Sequence, residues 1–299
     1  MSDLNSSMPA AARGLRFTKG HGTRNDFVLV FDEHGDLDVT TDLASFLCDR
    51  RGGIGGDGLI RAVRAGNLEA GAEFAPDTWF MDYWNADGST SEMCGNGARV
   101  FGAYLEREAG VDLSGGLTIA TRGGPRTVTA LGGGQYSVAM GTWALGANTQ
   151  GFDSEVAVAG LSLPHPGLSV DVGNPHRVVA LATLDELDGL DLSSPPVVDP
   201  APAQGTNVEF VVTRGGSVVD GVPRGRVRMR VHERGSGETQ SCGTGACAVA
   251  LAVREWAGDV APDVWDVEVP GGLVTVRIAG DQTVLEGPAV LLADGVITA

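Results

Sequence analysis

The sequence contains two similar segments, each of which begins at a cysteine before Gly-x-Gly and continues into a long apolar run. The first is MCGNGARVFGAYLEREAG, which ends at Gly110, and the second is SCGTGACAVALAVREWAG, which ends at Gly258. Their cysteines, Cys94 and Cys242, lie 148 residues apart (242 − 94), and the two final glycines share that offset (258 − 110). A constant offset between similar segments indicates an internal repeat.

Three more pairs of segments fall at nearly the same offset. NADGS at Asn85 matches ERGSG at Glu233, 148 residues later (233 − 85). RNDFVLVFD aligns with GNPHRVVALA through Asn25 and Asn174, which are 149 residues apart (174 − 25), and GDGLIRAVRAG resembles GTNVEFVVTRGG in the same register. Because all of these pairs share one register, the chain is predicted to contain two diverged copies of one unit.

Short segments rich in Val and Ile, bounded by Gly, Asp or Asn, make up most of each copy and are typical of β-strands. They are FVLVFD, GLIRAV, SVAM, RVVALA, VEFVVT, RVRMRVHE and LVTVRI. The runs after the two cysteines are long enough for helices, and each stops at a glycine suited to a left-handed C-cap. TDLASFLCDR is a third predicted helix. We therefore predict an α+β fold of two pseudo-twofold-related domains, each a curved, mostly antiparallel sheet wrapped around a central helix.

Charge and composition exclude several classes of function. A net charge of −17 argues against nucleic acid and against anionic membranes as partners. No stretch approaches the ~18 uninterrupted apolar residues of a membrane span. The N-terminal MSDLNSSMPAAARG lacks the features of a signal peptide, and the four cysteines fit a reducing compartment, so we expect a cytoplasmic protein. Cys242 and Cys247 are spaced C-x4-C without a second pair or a His cluster, so no metal site is expected.

The two predicted helix starts have the chemistry of a small-anion site. The first turn of a helix carries unpaired N–H groups and about half a positive charge, and glycines let the backbone approach a ligand. A thiol there is expected to have its pKa lowered, into the range of roughly 3.5 to 7.5. If the copies face each other, Cys94 and Cys242 would flank one bound carboxylate.

A less specific interpretation applies to each segment alone. A single CGxG before a helix is more often a buried structural cysteine or a phosphate-binding turn than a catalytic site. The two segments in register favour catalysis. Cys48 and Cys247 have no counterpart at the repeat offset, and we interpret both as core residues.

Two thiols on opposite faces of an α-carbon can invert that carbon without a cofactor. One must start as a thiolate and remove the α-proton, while the other, as a thiol, returns a proton to the opposite face. Negative charge develops on the neighbouring carboxylate and needs preorganised donors. The candidates are the backbone N–H groups of Gly95, Asn96, Gly243 and Thr244.

Several motifs together resemble diaminopimelate epimerase over nearly the whole chain. They are NDFV, DRRGGIGGDG, NADGSTSEMCGNGAR, GNPH and ERGSGETQSCGTGACA, and the C-terminal GPA and DGVIT are similar to the last strand of the family. The resemblance implies interconversion of LL- and meso-diaminopimelate without pyridoxal phosphate or metal, in lysine and peptidoglycan-precursor synthesis. It also implies an N-terminal repeat at 1–140, completed by a C-terminal strand at 287–299, and a C-terminal repeat at 141–286.

The resemblance assigns roles to residues within these motifs. Cys94 would deprotonate the LL isomer and Cys242 the meso isomer. Arg234 would hold the distal carboxylate of the substrate, and Glu233 would accept hydrogen bonds from its distal ammonium group. The remaining implied contacts are Asn25 and His176 at the reactive end, and Asn85, Asn174 and Asn207 around the distal end. Besides this small-molecule substrate, the partner we expect is a second copy of the chain in a homodimer.

The sequence also departs from the family pattern, and alternatives remain. Arg24 precedes NDFV where the family usually has a small residue, His232 precedes ERG where an aromatic residue is usual, and residues 146–169 match no part of the family. A related racemase of another amino acid such as proline is one alternative. Others are a redox protein that uses Cys94 and Cys242 as a dithiol, and an amino-acid-binding protein without catalysis.

Overall fold

A computed structural model of the chain describes residues 8–146 and 151–298. It divides into two compact units, one of Met1–Val138 with Pro288–Ala299 and the other of Ala139–Gly287. No helix in the described ranges is long and apolar enough to cross a membrane. The α-helices are α1 (Thr41–Cys48), α2 (Gly95–Ala109), α3 (Leu184–Asp188) and α4 (Gly243–Ala257). The β-strands are β1 (Arg16–Gly22), β2 (Asn25–Phe31), β3 (Gly58–Arg64), β4 (Trp79–Asn85), β5 (Leu117–Ile119), β6 (Arg126–Gly132), β7 (Gln135–Thr142), β8 (Ala144–Leu145), β9 (Ser154–Ala157), β10 (His165–Asp171), β11 (Pro175–Ala180), β12 (Val197–Asp199), β13 (Asn207–Val219), β14 (Val222–Glu233), β15 (Gly237–Glu238), β16 (Val264–Val269), β17 (Gly272–Ala279), β18 (Gln282–Pro288) and β19 (Val290–Val296).

The first unit contains a five-stranded sheet in the order β19-β1-β2-β3-β4. β2 and β3 pair in parallel, whereas the other neighbours pair antiparallel. Helix α2 packs against β1, β2, β3, β6 and β19, and its residues from Gly95 to Leu105 are buried. The apolar run after Cys94 therefore forms a central helix, because strands cover it on several sides.

The strands of the second unit follow the same plan. The order β10-β11-β13-β14 again has a parallel pair, β11 and β13, at its centre. A further parallel pair, β14 and β16, leads into the antiparallel ladder β16-β17-β18. The corresponding contact in the first unit is a parallel bridge between Phe80 and Ala120, which leads into the antiparallel ladder β5-β6-β7. Helix α4 packs against β10, β11, β13, β14, β16 and β17. This shared plan supports two copies of one unit, and the assignment of 1–140 and 141–286 as epimerase repeats stays a prediction.

The predicted α+β class is confirmed, since strands, mostly antiparallel, dominate each unit and helices are few. The three predicted helices form as α1, α2 and α4. Helix α3 was not predicted, because its five residues are too few to show a helical period. A capping box between Thr183 and Glu186 starts it.

The two central helices end differently. Gly110 has φ 64° and ψ 26°, which is the predicted left-handed C-cap. Gly258 has φ 69° but ψ −155°, so the prediction of a left-handed helical C-cap is wrong there. The chain continues from Gly258 into a single 3-10 turn instead. Glycine is still the favoured residue at this position, because the positive φ would strain a residue with a Cβ.

The two cysteines interpreted as core residues are both buried. Cys48 ends α1 and lies in a cluster with Leu43 and Leu47. Cys247 lies within α4 and is fully buried. The core interpretation of both is confirmed.

A buried ion pair links β3 to the edge strand β4 of the first unit. Arg61 of β3 donates from Nε to Asp82 Oδ2 of β4 at 2.7 Å, and its Nη1 donates to the carbonyl of Leu37 at 2.6 Å. The side chains of Arg61 and Asp82 are 6% and 0% exposed. Breaking such a pair leaves a charge in a medium that solvates it poorly, so its loss is costly.

We predict that Arg61→Met lowers the free energy of unfolding by about 3 kcal/mol, because the buried Asp82 loses one of its two arginine partners and keeps only Arg122. Arg64→Met is the matched control on the same strand, since its pair with Glu33 is about one-third exposed. The control should cost only about 1 kcal/mol. Urea denaturation of both variants measures the difference, and equal losses would contradict a structural role for the buried pair.

Candidate active site

Cys94 caps the N-terminus of α2 with its side chain. Its backbone is extended, with φ −136° and ψ 118°, and its Sγ accepts a hydrogen bond from the N–H of Gly97 at 3.4 Å. The sulfur thus takes the place of the oxygen that Ser or Thr supplies at most N-caps. It meets the positive end of the helix dipole, which favours a thiolate. Cys94 is only partly buried, so a ligand can reach it.

Asn25 directs its carbonyl oxygen towards the Cys94 thiol. Its Oδ1 lies 3.5 Å from Cys94 Sγ and 3.2 Å from Asn96 Nδ2, and its Nδ2 donates to Asp57 Oδ2 at 2.8 Å. An ionised carboxylate only accepts hydrogen bonds, so the amide nitrogen must face Asp57 and the amide oxygen must face the thiol. Asn25 therefore accepts a hydrogen bond from the protonated form of Cys94.

The turn before Asn25 has a strained backbone, and a buried arginine donates a hydrogen bond to it. Thr23 and Arg24 join β1 to β2 with φ of 50° and 62°, values that disfavour residues other than glycine. Arg99 of α2 is fully buried and donates from Nη2 to Thr23 Oγ1 at 3.1 Å and to Asn96 Oδ1 at 2.9 Å. Arg99 therefore ties this turn to the start of α2. Arg24 stands out in the sequence as a departure from the family pattern, whereas no pattern in the sequence points to Arg99.

Four charges support Asn25 from the side away from the thiol. Arg50 pairs with Asp26 at 2.6 Å and with Asp57 at 2.7 Å, and Lys19 pairs with Asp26 at 2.5 Å. Burial raises the pKa of Asp26, but hydrogen bonds from Arg50 and Lys19 outweigh it and lower the pKa to about 2. Asp26 therefore stays ionised at neutral pH. The DRRGGIGGDG motif contributes Arg50 and Asp57 to this cluster.

The remaining predicted residues of the first unit divide into two places. Gly95 and Asn96 are the first two residues of α2 and are buried beside Cys94. Asn85 ends β4 and donates from Nδ2 to Ser89 Oγ at 2.9 Å, within the NADGS turn. The structure thus groups Asn25, Asn96 and Gly95 with Cys94. It places Asn85 in a separate, partly exposed turn.

Cys242 repeats the same cap at the start of α4. Its Sγ accepts from the N–H of Gly245 at 3.4 Å, and Thr244 Oγ1 lies 3.5 Å from the sulfur. Gly243 and Thr244 are the first two residues of the helix. Unlike Cys94, Cys242 is 5% exposed.

The electrostatic environment of Cys242 favours the protonated thiol. Burial, followed by the nearby carboxylates of Glu233 and Glu209, raises the pKa of Cys242 well above its ordinary value. The prediction of a lowered pKa is therefore wrong for this cysteine, because desolvation and two carboxylates outweigh the helix dipole. Burial also raises the pKa of Glu233, whose Oε1 accepts a hydrogen bond from Thr239.

His176 lies in a buried chain of hydrogen bonds that includes Glu209, one of the carboxylates near Cys242. Its Nδ1 is 2.7 Å from Glu209 Oε1, and its Nε2 is 2.9 Å from Asn174 Oδ1. His176 and Glu209 are both fully buried. The sequence analysis named His176 and Asn174 but missed Glu209. In the sequence, Glu209 is the single acidic residue in the apolar run GTNVEFVV. An acidic residue is rarely fully buried unless it has a partner.

Asn207 and Arg234 form the outer part of this half-site. Asn207 accepts from the backbone N–H of Arg234 at 2.9 Å and donates to the carbonyl of Pro175 at 3.2 Å. The Arg234 side chain is exposed and donates from Nη1 to the carbonyl of Gln204 at 2.8 Å. A carbonyl does not neutralise a guanidinium, so Arg234 retains its charge for an anionic ligand.

His232, the other departure from the family pattern, is buried in β14. Its Nδ1 lies 3.0 Å from the carbonyl oxygen of Leu192, and a carbonyl requires that Nδ1 carry the proton. This contact secures the loop before β12 to the central strand. His232 therefore has a packing role within its unit.

We predict that Gly245→Ala disturbs the Cys242 half-site, whereas Gly97→Ala at the corresponding position of α2 is tolerated. A Cβ on Gly245 would lie 2.7 Å from Glu209 Oε1, whereas the atom nearest to a Cβ on Gly97 would be Ile60 Cδ1 at 3.1 Å, a contact that a small shift of that methyl group relieves. Overpacking at Gly245 should cost roughly 1–3 kcal/mol of unfolding free energy. Gly97→Ala should be near neutral, since Ala favours helix by about 1 kcal/mol. Urea denaturation checks both, and equal effects would refute the close approach at Gly245.

The family model described as diaminopimelate epimerase matches residues 17–145 and 168–292. Diaminopimelate epimerase of Streptomyces coelicolor is 48% identical over 290 residues, which cover 94% of this chain and 94% of that protein. Diaminopimelate epimerase of Rhodococcus jostii is 42% identical over 298 residues, which cover 95% of this chain and 97% of that protein. The gap at residues 146–167 falls in the segment that the sequence analysis could not align, of which 147–150 lie outside the described residues.

A solved structure with a different printed function has a similar fold. It is a phenazine biosynthesis protein of the PhzF family from Bacillus anthracis, with a TM-score of 0.65. The match covers 96% of this chain and 100% of that one, at 15% sequence identity. At that identity the likeness concerns the fold alone.

Proposed function

The chain belongs to the diaminopimelate epimerase family, and on that premise we propose that it interconverts LL- and meso-2,6-diaminopimelate. It is an isomerase that inverts one α-carbon by proton transfer, without pyridoxal phosphate or metal. The observation that carries the proposal is the pair of cysteine-capped helices. Each unit offers one thiol whose sulfur accepts a backbone N–H bond from the third residue of the helix that it starts.

Inversion at carbon requires a base on one face and an acid on the other, and we assign these roles to Cys94 and Cys242. With the LL isomer, the Cys94 thiolate takes the α-proton, and the electron pair of the C–H bond passes onto the carbon and its carboxylate. The Cys242 thiol then gives its proton to the opposite face and becomes the thiolate. With the meso isomer the roles reverse, so atoms and charges balance in both directions.

The two half-sites are suited to different starting protonation states. Cys94 is partly exposed and meets an amide oxygen and a helix N-terminus, which together accommodate either form of the thiol. Cys242 is buried beside Glu233 and Glu209, which keeps it protonated. The resting enzyme in this proposal therefore has Cys242 as the acid, which is the form that accepts the LL isomer.

Charge that develops on the reacting carboxylate needs donors that are already in place. The backbone N–H groups of Gly95, Asn96, Gly243 and Thr244 belong to the first turns of α2 and α4, where helical N–H groups lack intrahelical partners. Such fixed donors stabilise a developing anion without reorganisation. Asn25 and His176 complete the reactive end in this proposal.

The distal end of diaminopimelate distinguishes this substrate from a shorter amino acid. We assign its carboxylate to Arg234, whose exposed guanidinium is bonded to a neutral carbonyl. Asn207 accepts a hydrogen bond from the backbone N–H of Arg234, and we assign the distal ammonium group to Glu233. Asn85 and Asn174 are the further amides assigned to this end. A proline-type racemase would not need an arginine in this role.

The cellular setting follows from the proposed reaction. An enzyme of lysine and peptidoglycan-precursor synthesis acts in the cytoplasm, and all four cysteines are present as thiols, as a reducing compartment favours. A homodimer is also part of the proposal. The last strand, β19, lies at the edge of its sheet and exposes Leu292 and Val296, which a second copy of the chain could cover.

We predict that the purified protein converts LL-diaminopimelate to the meso isomer with no added cofactor. Chiral chromatography should show the same final mixture when the reaction starts from either isomer, because a catalyst does not change the equilibrium. Both isomers should be present in comparable amounts, because their free energies are nearly equal. L-Proline is the control substrate and should be returned unchanged. Racemisation of proline with no effect on diaminopimelate would refute the proposed substrate.

We predict that Cys94→Ala and Cys242→Ala each reduce kcat by at least about a thousandfold, since each removes one of the two proton-transfer groups. Cys247→Ala is the matched control, because it removes another buried thiol from α4. It should keep kcat within a few-fold of the parent. Ordinary turnover by Cys242→Ala would contradict a mechanism with two thiols.

We predict that Arg234→Met reduces kcat/KM for diaminopimelate by at least about a hundredfold, through loss of the charge that orients the distal carboxylate. Lysine at this position should recover little, because it lacks the planar fork of donors. Arg228→Met, on the preceding strand, is the control with a side-chain ion pair at the surface. Equal kinetics of the parent and Arg234→Met would place the distal contact elsewhere.

A further inference from the structure

Glu209 is a buried acid that the proposed reaction does not use. It lies in β13, and its side chain is fully buried. Its Oε1 is 2.7 Å from His176 Nδ1, on the neighbouring parallel strand β11. Its Oε2 has no hydrogen-bond partner within the part of the chain that the structure describes. A buried carboxylate with an unsatisfied oxygen is costly, so a role beyond packing is expected of it.

The carboxylate lies against the first turn of α4, next to the Cys242 sulfur. A Cβ built on Gly245 would lie 2.7 Å from Glu209 Oε1 and 3.2 Å from Cys242 Sγ. The oxygen and the sulfur are therefore no more than about 6 Å apart, on two sides of the same glycine. Gly245 has no side chain to separate them. At this distance in a water-poor interior, a unit charge acts strongly on its neighbour.

The carboxylates that act on Cys242, and the imidazole bonded to one of them, come from three strands of its unit. Glu209 comes from β13, Glu233 comes from the end of β14, and His176 comes from β11. His176 is bonded to Glu209 through Nδ1 and to Asn174 through Nε2. One of the two carboxylates near Cys242 is thus hydrogen-bonded to the imidazole. Burial, and then Glu233 and Glu209, raise the pKa of the Cys242 thiol, which agrees with this geometry.

We propose that Glu209 is a positioning residue that keeps Cys242 protonated in the resting enzyme and also holds the His176 ring through its Nδ1 contact. The proposal rests on the proposed function, because it concerns the starting state of the acid in that reaction. Glu209 itself does not touch the substrate in this account. Its negative charge opposes formation of the Cys242 thiolate, so Cys242 starts as the proton donor.

Replacing Glu209 by glutamine separates the effect of the negative charge from that of the hydrogen bond to His176. Glu209→Gln keeps an oxygen that can accept from His176 Nδ1, and it keeps the size of the side chain, but it removes the charge. If Glu209 only oriented the ring, this variant would behave like the parent. If the negative charge of Glu209 keeps Cys242 protonated, the variant must form the Cys242 thiolate more readily.

The experiment measures the thiolate absorbance of Cys242 in a Cys94→Ala background, at a fixed alkaline pH at which the protein remains folded. The same protein with Cys242→Ala as well gives the background from the other cysteines. Introducing Glu209→Gln should raise the thiolate fraction of Cys242 at least about tenfold, which corresponds to a shift of about one pH unit. An unchanged fraction would overturn the proposal.

Two control variants make the result specific. Glu155→Gln removes one negative charge from an exposed position of the same unit and should leave the Cys242 titration unchanged. Glu209→Asp retains the charge and should stay much closer to the parent than Glu209→Gln. If Glu209→Asp or Glu155→Gln matched the effect of Glu209→Gln, the proposal would be overturned.

A kinetic readout in the enzyme with both cysteines tests the same point. The alkaline limb of the kcat/KM profile should move to lower pH by about one unit in Glu209→Gln. It should move equally with the LL and meso isomers, because the ratio of the two kcat/KM values is fixed by the equilibrium constant. An alkaline limb that stays in place would overturn the proposal. The absorbance measurement needs no turnover, so an unchanged thiolate fraction would overturn the role of Glu209 and leave the proposed epimerase activity standing. A parent enzyme without epimerase activity would refute the proposed function but not the effect of Glu209 on the Cys242 thiol.

Discussion

The structure depends on a cysteine that caps a buried helix, an arrangement that occurs once in each unit. In both, the sulfur accepts the N–H of the third helical residue, which is a glycine. The cap sets where the central helix begins, and the strands of the unit pack around that helix. It also fixes the sulfur at the positive end of the helix dipole. The reactive atom is therefore held by the same contact that starts the main packing element.

The two copies differ in what surrounds that shared cap. Cys94 meets the amide oxygen of Asn25, which a salt-bridged cluster orients, and it remains partly exposed. Cys242 is enclosed, with Glu209 and Glu233 nearby. Divergence of the surroundings, rather than of the cap, keeps Cys242 protonated and leaves Cys94 accessible. If the two half-sites were identical, their surroundings would not decide which thiol is the acid and which is the base. The difference between them favours Cys242 as the acid in the proposed reaction.

The sequence was sufficient for the features that recur at a fixed offset or have a local period. The repeat, the strands around Val- and Ile-rich segments, and the helices after both cysteines follow from such patterns, and the α+β class is confirmed. Features set by tertiary burial were not predictable in this way. The raised pKa of Cys242 comes from charges on strands far away in sequence, and Glu209 and Arg99 owe their importance to neighbours that only the fold brings close. Helix α3 was too short, and the ψ of Gly258 depends on the turn that follows it.

The central claim is that one thiol removes the α-proton and the other returns a proton to the opposite face. The most direct measurement is the isotope content of substrate and product during the first turnovers of LL-diaminopimelate in heavy water. We expect the meso product to carry solvent deuterium at one α-carbon from the start, while the recovered LL isomer remains unlabelled, because the returning proton comes from a thiol that exchanged with solvent. Product that retains the original α-hydrogen, or deuterium at both α-carbons, would contradict the claim.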